Sequence, residues 1–226
     1  MNKLRIDFIS ALPDSFNSIL NTGILRIASE KKLVEYHIHN LHDYSDNKFG
    51  HIDDTPYGGG SGMLIKCQPV FDCIDKLKSE RNYDEIIFLT PEGEQFSQSI
   101  ANKLSLQKNI ILLSGRYKGI DQRIRDELIT KEISVGDFVL SGGELASLII
   151  ADSVVRLLPG ALGDAESALS DSFMNGLLEP PQYTRPQIYK GLEVPKVLTS
   201  GNHKEIENWK EKESLNKTKK LRPDLL

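Results

Sequence analysis

Residues 85–119 read EIIFLTPEGEQFSQSIANKLSLQKNIILLSGRYKG. Two short apolar runs, EIIFLT (85–90) and NIILLS (109–114), flank a helical pattern, and the second leads into a loop bracketed by Gly115 and Gly119. Runs this short are read as buried strands, and strands alternating with helices of this length argue for a parallel sheet. The same rhythm extends outward. KLRIDFIS (3–10) alternates apolar and polar residues as a strand does, Pro13-Asp14 opens a helix carrying Phe16, Ile19, Leu20, Ile24 and Ile27, and LVEYHIHN (33–40) is a second strand. A helix with Val70, Phe71, Ile74 and Leu77 follows, and the stretch around DFVL (137–140) is expected to add another strand. The fold class is therefore α/β with a mostly parallel sheet, over about residues 1–160.

From about Gly143 to Leu158 a helix is apolar on nearly every face, with Leu145, Leu148, Ile149, Ile150, Val154 and Val155 among its residues. Such a helix must be covered on all sides, and a second subunit is a natural cover. Pro159-Gly160 breaks it, and residues 161–176, ALGDAESALSDSFMNG, are small and polar, the composition of a flexible linker. Residues 177–226 form a small, charged, mainly helical domain with a thin core around Trp209.

A chain of 226 residues buries roughly 70% of its unfolded surface and needs no disulfide or metal staple. Its 39% hydrophobic and 27% charged content is that of a soluble protein. Leu145 to Leu158 is too short and too interrupted, by Asp152 and Arg156, to span a bilayer, and Asp7 breaks any signal-peptide core. A cytoplasmic protein is expected. Cys67 and Cys73 fit neither a zinc knuckle nor a redox pair and read as small hydrophobes. The net charge of −4 announces no polyanionic partner, yet Lys217, Lys219, Lys220 and Arg222 gather near the C-terminus against Asp224.

No dinucleotide fingerprint, Walker A loop or nucleophile elbow is present. Glycines instead cluster in YGGGSG (57–62), GRYKG (115–119) and VGDFVLSGG (135–143). Any one of these suits an ordinary turn; three together point to a ligand cradle, where backbone must approach closely. His37, His39 and His42 lack a carboxylate or cysteine that would complete a metal site, and polar positions on the outer face of a strand explain them. Asp152 and Arg156, one turn apart, suit either an ion pair or an interfacial site. Asp171, in Ser-Asp-Ser-Phe, reads locally as a helix N-cap.

The stretches DDTPYGGGSGM (53–63), LSGRYKGIDQR (113–123), SVGDFVLSGGEL (134–145), DSVVRLLPG (152–160), DSFMNGLLEPPQYTRP (171–186) and VPKVLTSGNHKEIENWK (194–210) closely resemble, in order and over nearly the whole chain, the bacterial tRNA (guanine-N1)-methyltransferases. That resemblance implies an α/β domain with a C-terminal trefoil knot of the SPOUT type, which the general rarity of threaded chains argues against. It implies S-adenosylmethionine as methyl donor and N1 of guanosine 37, next to the anticodon, as target. It also implies a homodimer with the active site at the subunit interface, a C-terminal domain gripping the tRNA anticodon arm, and a dependence on Mg²⁺ with no evident ligands in this chain. By match to the motifs, the cofactor cradle is Pro91, Gly115, Arg116, Tyr117, Gly119, Val135, Gly136, Asp137, Phe138, Val139, Leu140, Gly142 and Gly143. Asp171 is the implied general base and Arg156 the group supporting guanine or cofactor.

Three positions depart from the family pattern: Lys118 stands where a glutamate is usual, Ala146 where a proline is, and Gln182 where a histidine is. A ribose 2′-O-methyltransferase of the same superfamily would share the glycine loops but have no lactam to deprotonate, and the DSF…YTRP segment speaks against it. A non-catalytic RNA-binding module would be expected to have lost Asp171 or the glycine loops. A small-molecule methyltransferase would have no use for the basic 217–222 cluster.

Overall fold

Strand β1 (Leu4–Ser10) is buried along its whole length, although its sequence alternates. The reason is its place in the sheet. The computed structural model describes residues 3–162, 171–173 and 175–226, and in it β1 pairs with β2 (Val34–Asn40) on one side and β6 (Asn109–Ser114) on the other. The order of the five-stranded sheet is β2-β1-β6-β5-β7, with β5 spanning Glu85–Gln95 and β7 spanning Lys131–Ser134, and every pairing in it is parallel; the short β3 (Asp53–Asp54) and β4 (Leu64–Ile65) pair apart from it, antiparallel.

Helices cover both faces, as parallel strands require. On one face, Leu4, Ile6 and Phe8 pack with residues of α1 (Asn17–Leu20), α2 (Gly23–Glu30), α4 (Gln98–Leu104) and α6 (Glu144–Val155). On the other, Ile9, Ile111 and Leu113 pack with α3 (Cys67–Glu80) and α5 (Gln122–Leu128). On that second face Arg5 and Asp7 occupy inward positions of β1. They are neutralised in place: Arg5 forks onto the Asp7 carboxylate at 2.7 and 2.8 Å, His39 donates to it at 2.7 Å and Tyr83 at 3.0 Å. His39 is therefore part of a buried polar cluster and not an outer-face residue.

The strand expected around 137–140 lies earlier, at Lys131–Ser134. Residues 137–140 form a loop, with Phe138 and Val139 exposed. The expected entry helix is also divided, into a 3-10 turn (Pro13–Phe16), α1 and α2, where Asn21 and Thr22 interrupt the pattern.

The chain divides into two units, Met1–Gly163 and Asp164–Leu226. Most of the 161–176 segment expected to be a flexible linker, residues 163–170 and 174, lies outside the described residues. The second unit contains a short hairpin, β8 (Ile188–Tyr189) with β9 (Leu192–Glu193), and the long helix α7 (His203–Leu221), capped by the Asn202 side chain. Its cohesion is polar. The buried residues of α7 are Ser214 and Thr218, which bond Leu178 through its carbonyl at 2.5 Å and its N–H at 2.9 Å, while Tyr183 meets Trp209 at 6.4 Å between ring centroids.

Candidate active site

Open parallel sheets bind ligands beyond the carboxyl ends of their strands. Here β6 and β7 end, and β5 breaks its ladder, around a cavity of about 320 Å³, within the size range of small-ligand sites. Its walls come from three segments: Phe88–Glu92, Gly115–Gly119 and Ser134–Gly143. These include every residue expected in the cradle except Asp137. The N–H of Phe138 bonds back to Gly136 at 2.9 Å, a γ-type turn that puts Asp137 at its apex, exposed and outside the lining.

The loops are stitched to one another. Gly143 donates to the Gly115 carbonyl at 2.8 Å, and Arg116 bridges Gly142. Gly143 is required by this approach, because a Cβ there would lie 2.8 Å from Ser114 Cα. Gly136 has φ 148°, and a Cβ on it would strike the Phe138 ring at 2.5 Å. Below the floor, Ser114 and Ser147 share a hydrogen bond of 2.9 Å, fastening β6 to α6.

Glu144 is a residue that the motif reading passed over. It is 5% exposed, accepts from Ser10 Oγ at 2.6 Å, and stands 3.8 Å from the Arg116 guanidinium. Ser10 and Glu144 are 134 positions apart, so no local pattern could have joined them. Lys118 also lines the pocket; its N–H bonds the Met63 carbonyl, and its side chain lies across Gly62, joining the first glycine loop to the second. Tyr117 holds φ 59°, a left-handed backbone uncommon for a non-glycine residue, and burial raises its phenol pKa.

Arg156 follows the last turn of α6, half-buried, with its N–H bonded to the Asp152 carbonyl at 3.2 Å. Asp171 belongs to the second unit. It opens no helix among the described residues; Phe173 adopts φ 75° and donates to the Leu177 carbonyl at 2.8 Å. The helix-cap reading of Asp171 therefore gives way. Cys67 and Cys73 are free thiols, and burial pushes Cys73 up to about 12, so it is inert at neutral pH. Among the described residues no group of three or more His, Cys, Asp or Glu side chains is arranged to hold a metal ion. No described helix is long and apolar enough to cross a membrane.

Residues 4–226 match the family model described as tRNA (Guanine-1)-methyltransferase TrmD. A protein of Christiangramia forsetii named tRNA (guanine-N(1)-)-methyltransferase is 55% identical over 223 residues, covering 99% of both chains. Proteins of the same name from Bacteroides thetaiotaomicron (54% identical, 99% of each chain) and Chlorobium chlorochromatii (55%, 99% of this chain and 96% of the other) are similarly close.

Proposed function

The chain belongs to the tRNA (guanine-1)-methyltransferase family, and on that premise we propose that its glycine-lined pocket holds the methyl donor, with Asp171 as base and guanosine 37 as target. The protein is an enzyme that methylates guanine at N1 in tRNA, and membership of this family implies S-adenosylmethionine. The observation that carries the site assignment is the convergence of two glycine loops, 115–119 and 135–143, with Phe88–Glu92 of β5 on one cavity.

The cofactor, when bound, supplies an electrophilic methyl group on a sulfonium sulfur. The residues of the chain have the remaining work. Gly115, Gly142 and Gly143 let backbone approach the ligand, and Glu144 steers Arg116 at the rim. Holding the reacting atoms about 3–3.5 Å apart supplies much of the rate in such a displacement, with no covalent enzyme intermediate. Guanine N1 carries a proton at neutral pH, and Asp171 accepts it. A carboxylate is a weak base for a lactam proton. The Arg156 guanidinium offsets that weakness by stabilising the negative charge that develops on guanine O6. No cluster of three or more His, Cys, Asp or Glu side chains among the described residues offers a dedicated cage for Mg²⁺.

The same reading includes the trefoil knot and a homodimer with the site at its interface. Support for the dimer comes from α6, which exposes Leu145 (60%) and Ile149 (46%) one turn apart, on the helix that Arg156 caps. The tRNA anticodon arm is assigned to residues 177–226, where Lys217, Lys219, Lys220 and Arg222 supply phosphate-binding charge, and the location is assigned to the cytoplasm. The target base leaves its stack to be reached.

Asp171→Ala tests the central role. Methyl transfer falls by about a thousandfold or more, the scale of a lost general base with its positioning, while cofactor affinity measured by calorimetry stays within about twofold. Near-normal turnover in that variant would remove Asp171 from the mechanism.

A further inference from the structure

We propose that Arg125 is a positioning residue of the methyl-donor pocket, a latch that ties the Thr90–Gly93 bulge of β5 to the start of β7 and so sets the Pro91–Glu92 wall. The inference rests on reading that pocket as the cofactor site.

Leu89 and Glu94 both register with Ile133 of β7. The four residues between them leave the ladder, and three of these, Thr90, Pro91 and Glu92, line the cavity. A bulge without ladder hydrogen bonds needs other restraints to hold one shape. The first is contact: Gly93 lies flat on the Glu132–Ile133 peptide, where a Cβ would come within 2.5 Å of backbone. The second is Arg125, in the last turn of α5. Its Nε and Nη2 donate to the two carboxylate oxygens of Glu132 at 2.7 and 2.6 Å, and Nη2 also donates to Glu92 at 2.6 Å. One guanidinium thus joins the residue before Gly93 to the residue on which Gly93 rests. The same group lies 5.8 Å from the ring centroid of Phe88, another wall residue.

An arginine is needed for this. Its rigid fork holds Glu132 with two bonds and keeps a donor for Glu92, which the single ammonium of lysine cannot reproduce. The Glu92 carboxylate is 68% exposed, so its contact alone would be worth little. Because Glu132 already fixes the fork, less freedom is lost when Glu92 joins it. The hydrogen bonds to Glu132 and Glu92 raise the Arg125 pKa, and the charge persists at any working pH.

The test is a double-mutant cycle on the full-length enzyme, with S-adenosylmethionine affinity read by calorimetry and KM measured for cofactor and tRNA separately. Glu92→Gln weakens cofactor binding about threefold, within the range of an exposed ion pair. Arg125→Ala weakens it about tenfold, as loss of a wall's position does. The double variant is no weaker than Arg125→Ala, because the two act as one unit. Arg125→Lys recovers only part of the loss, and KM for tRNA does not move. Should Arg125→Ala fail to fold, Glu92→Gln, on an exposed carboxylate, carries the test with Glu92→Asp as its conservative rescue. Unchanged cofactor affinity in the single variants, or strictly additive losses, would overturn the latch while leaving the cofactor site in place. A wild-type enzyme that binds tRNA but not S-adenosylmethionine would overturn the cofactor site and the latch together.

Discussion

The carboxylate of Asp7 is fully buried and accepts hydrogen bonds from Arg5, His39 and Tyr83. Burial opposes its ionisation, but the three donors outweigh burial and pull the carboxyl pKa from 3.8 down to about 2. A folded-state pKa below the unfolded one means stability that is present above about pH 4 and fades as the pH falls toward 2; the shift corresponds to about 2 kcal/mol. Urea unfolding from pH 6 to pH 2.5 checks this. The stability difference between the wild type and Asp7→Asn is large at pH 6 and narrows below pH 4; parallel curves would contradict the assignment. The cluster also shows why residue-scale reading stopped short. Arg5 and Asp7 looked like the solvent side of an alternating strand, and only the register of β1 with β2, together with the distant Tyr83, makes them an interior pair.

At the scale of elements, runs with a strong apolar signal were legible. EIIFLT and NIILLS are strands where their composition placed them, because both lie between other strands with helices on each face. β7 was misplaced for a physical reason. It is an edge strand, KEIS, in which Lys131 and Glu132 are half-exposed and Ile133 supplies the apolar core contact. DFVL, two residues beyond it, carries more apolar surface but spends it on a pocket wall, leaving Phe138 and Val139 54% and 86% exposed. Apolar character thus marked burial correctly in the sheet and misled in a binding loop. Close backbone approach restricts residue type directly, and two of the three glycine loops, 115–119 and 135–143, do line one pocket, while 57–62 does not. Ser10, Glu144, Arg125 and Glu92 were not legible, because each acts through a partner brought close by the sheet.

At the scale of the whole molecule, α6 joins several parts of the account. Its inner residues, Ile150, Ala151, Val154 and Val155 among them, are buried in the core, while Leu145 and Ile149 lie exposed on a neighbouring strip. Apolar residues in such a strip mark a contact surface, and a two-fold dimer would bury the strip against itself. If the proposed homodimer uses this strip, Leu145→Asp with Ile149→Asp shifts the enzyme to monomer in size-exclusion chromatography with light scattering. Methyl transfer is expected to be lost in parallel if the site needs both subunits. A double variant that remains dimeric would place the interface elsewhere. Among the described residues of the second unit, the buried side chains of α7 are the polar Ser214 and Thr218, and both bond Leu178.

The most direct measurement is methyl transfer from labelled S-adenosylmethionine to matched tRNA transcripts carrying guanosine or adenosine at position 37, followed by nucleoside analysis. The account predicts N1-methylguanosine from the guanosine transcript alone. Label on a ribose, at another position, or equally in both transcripts would contradict it.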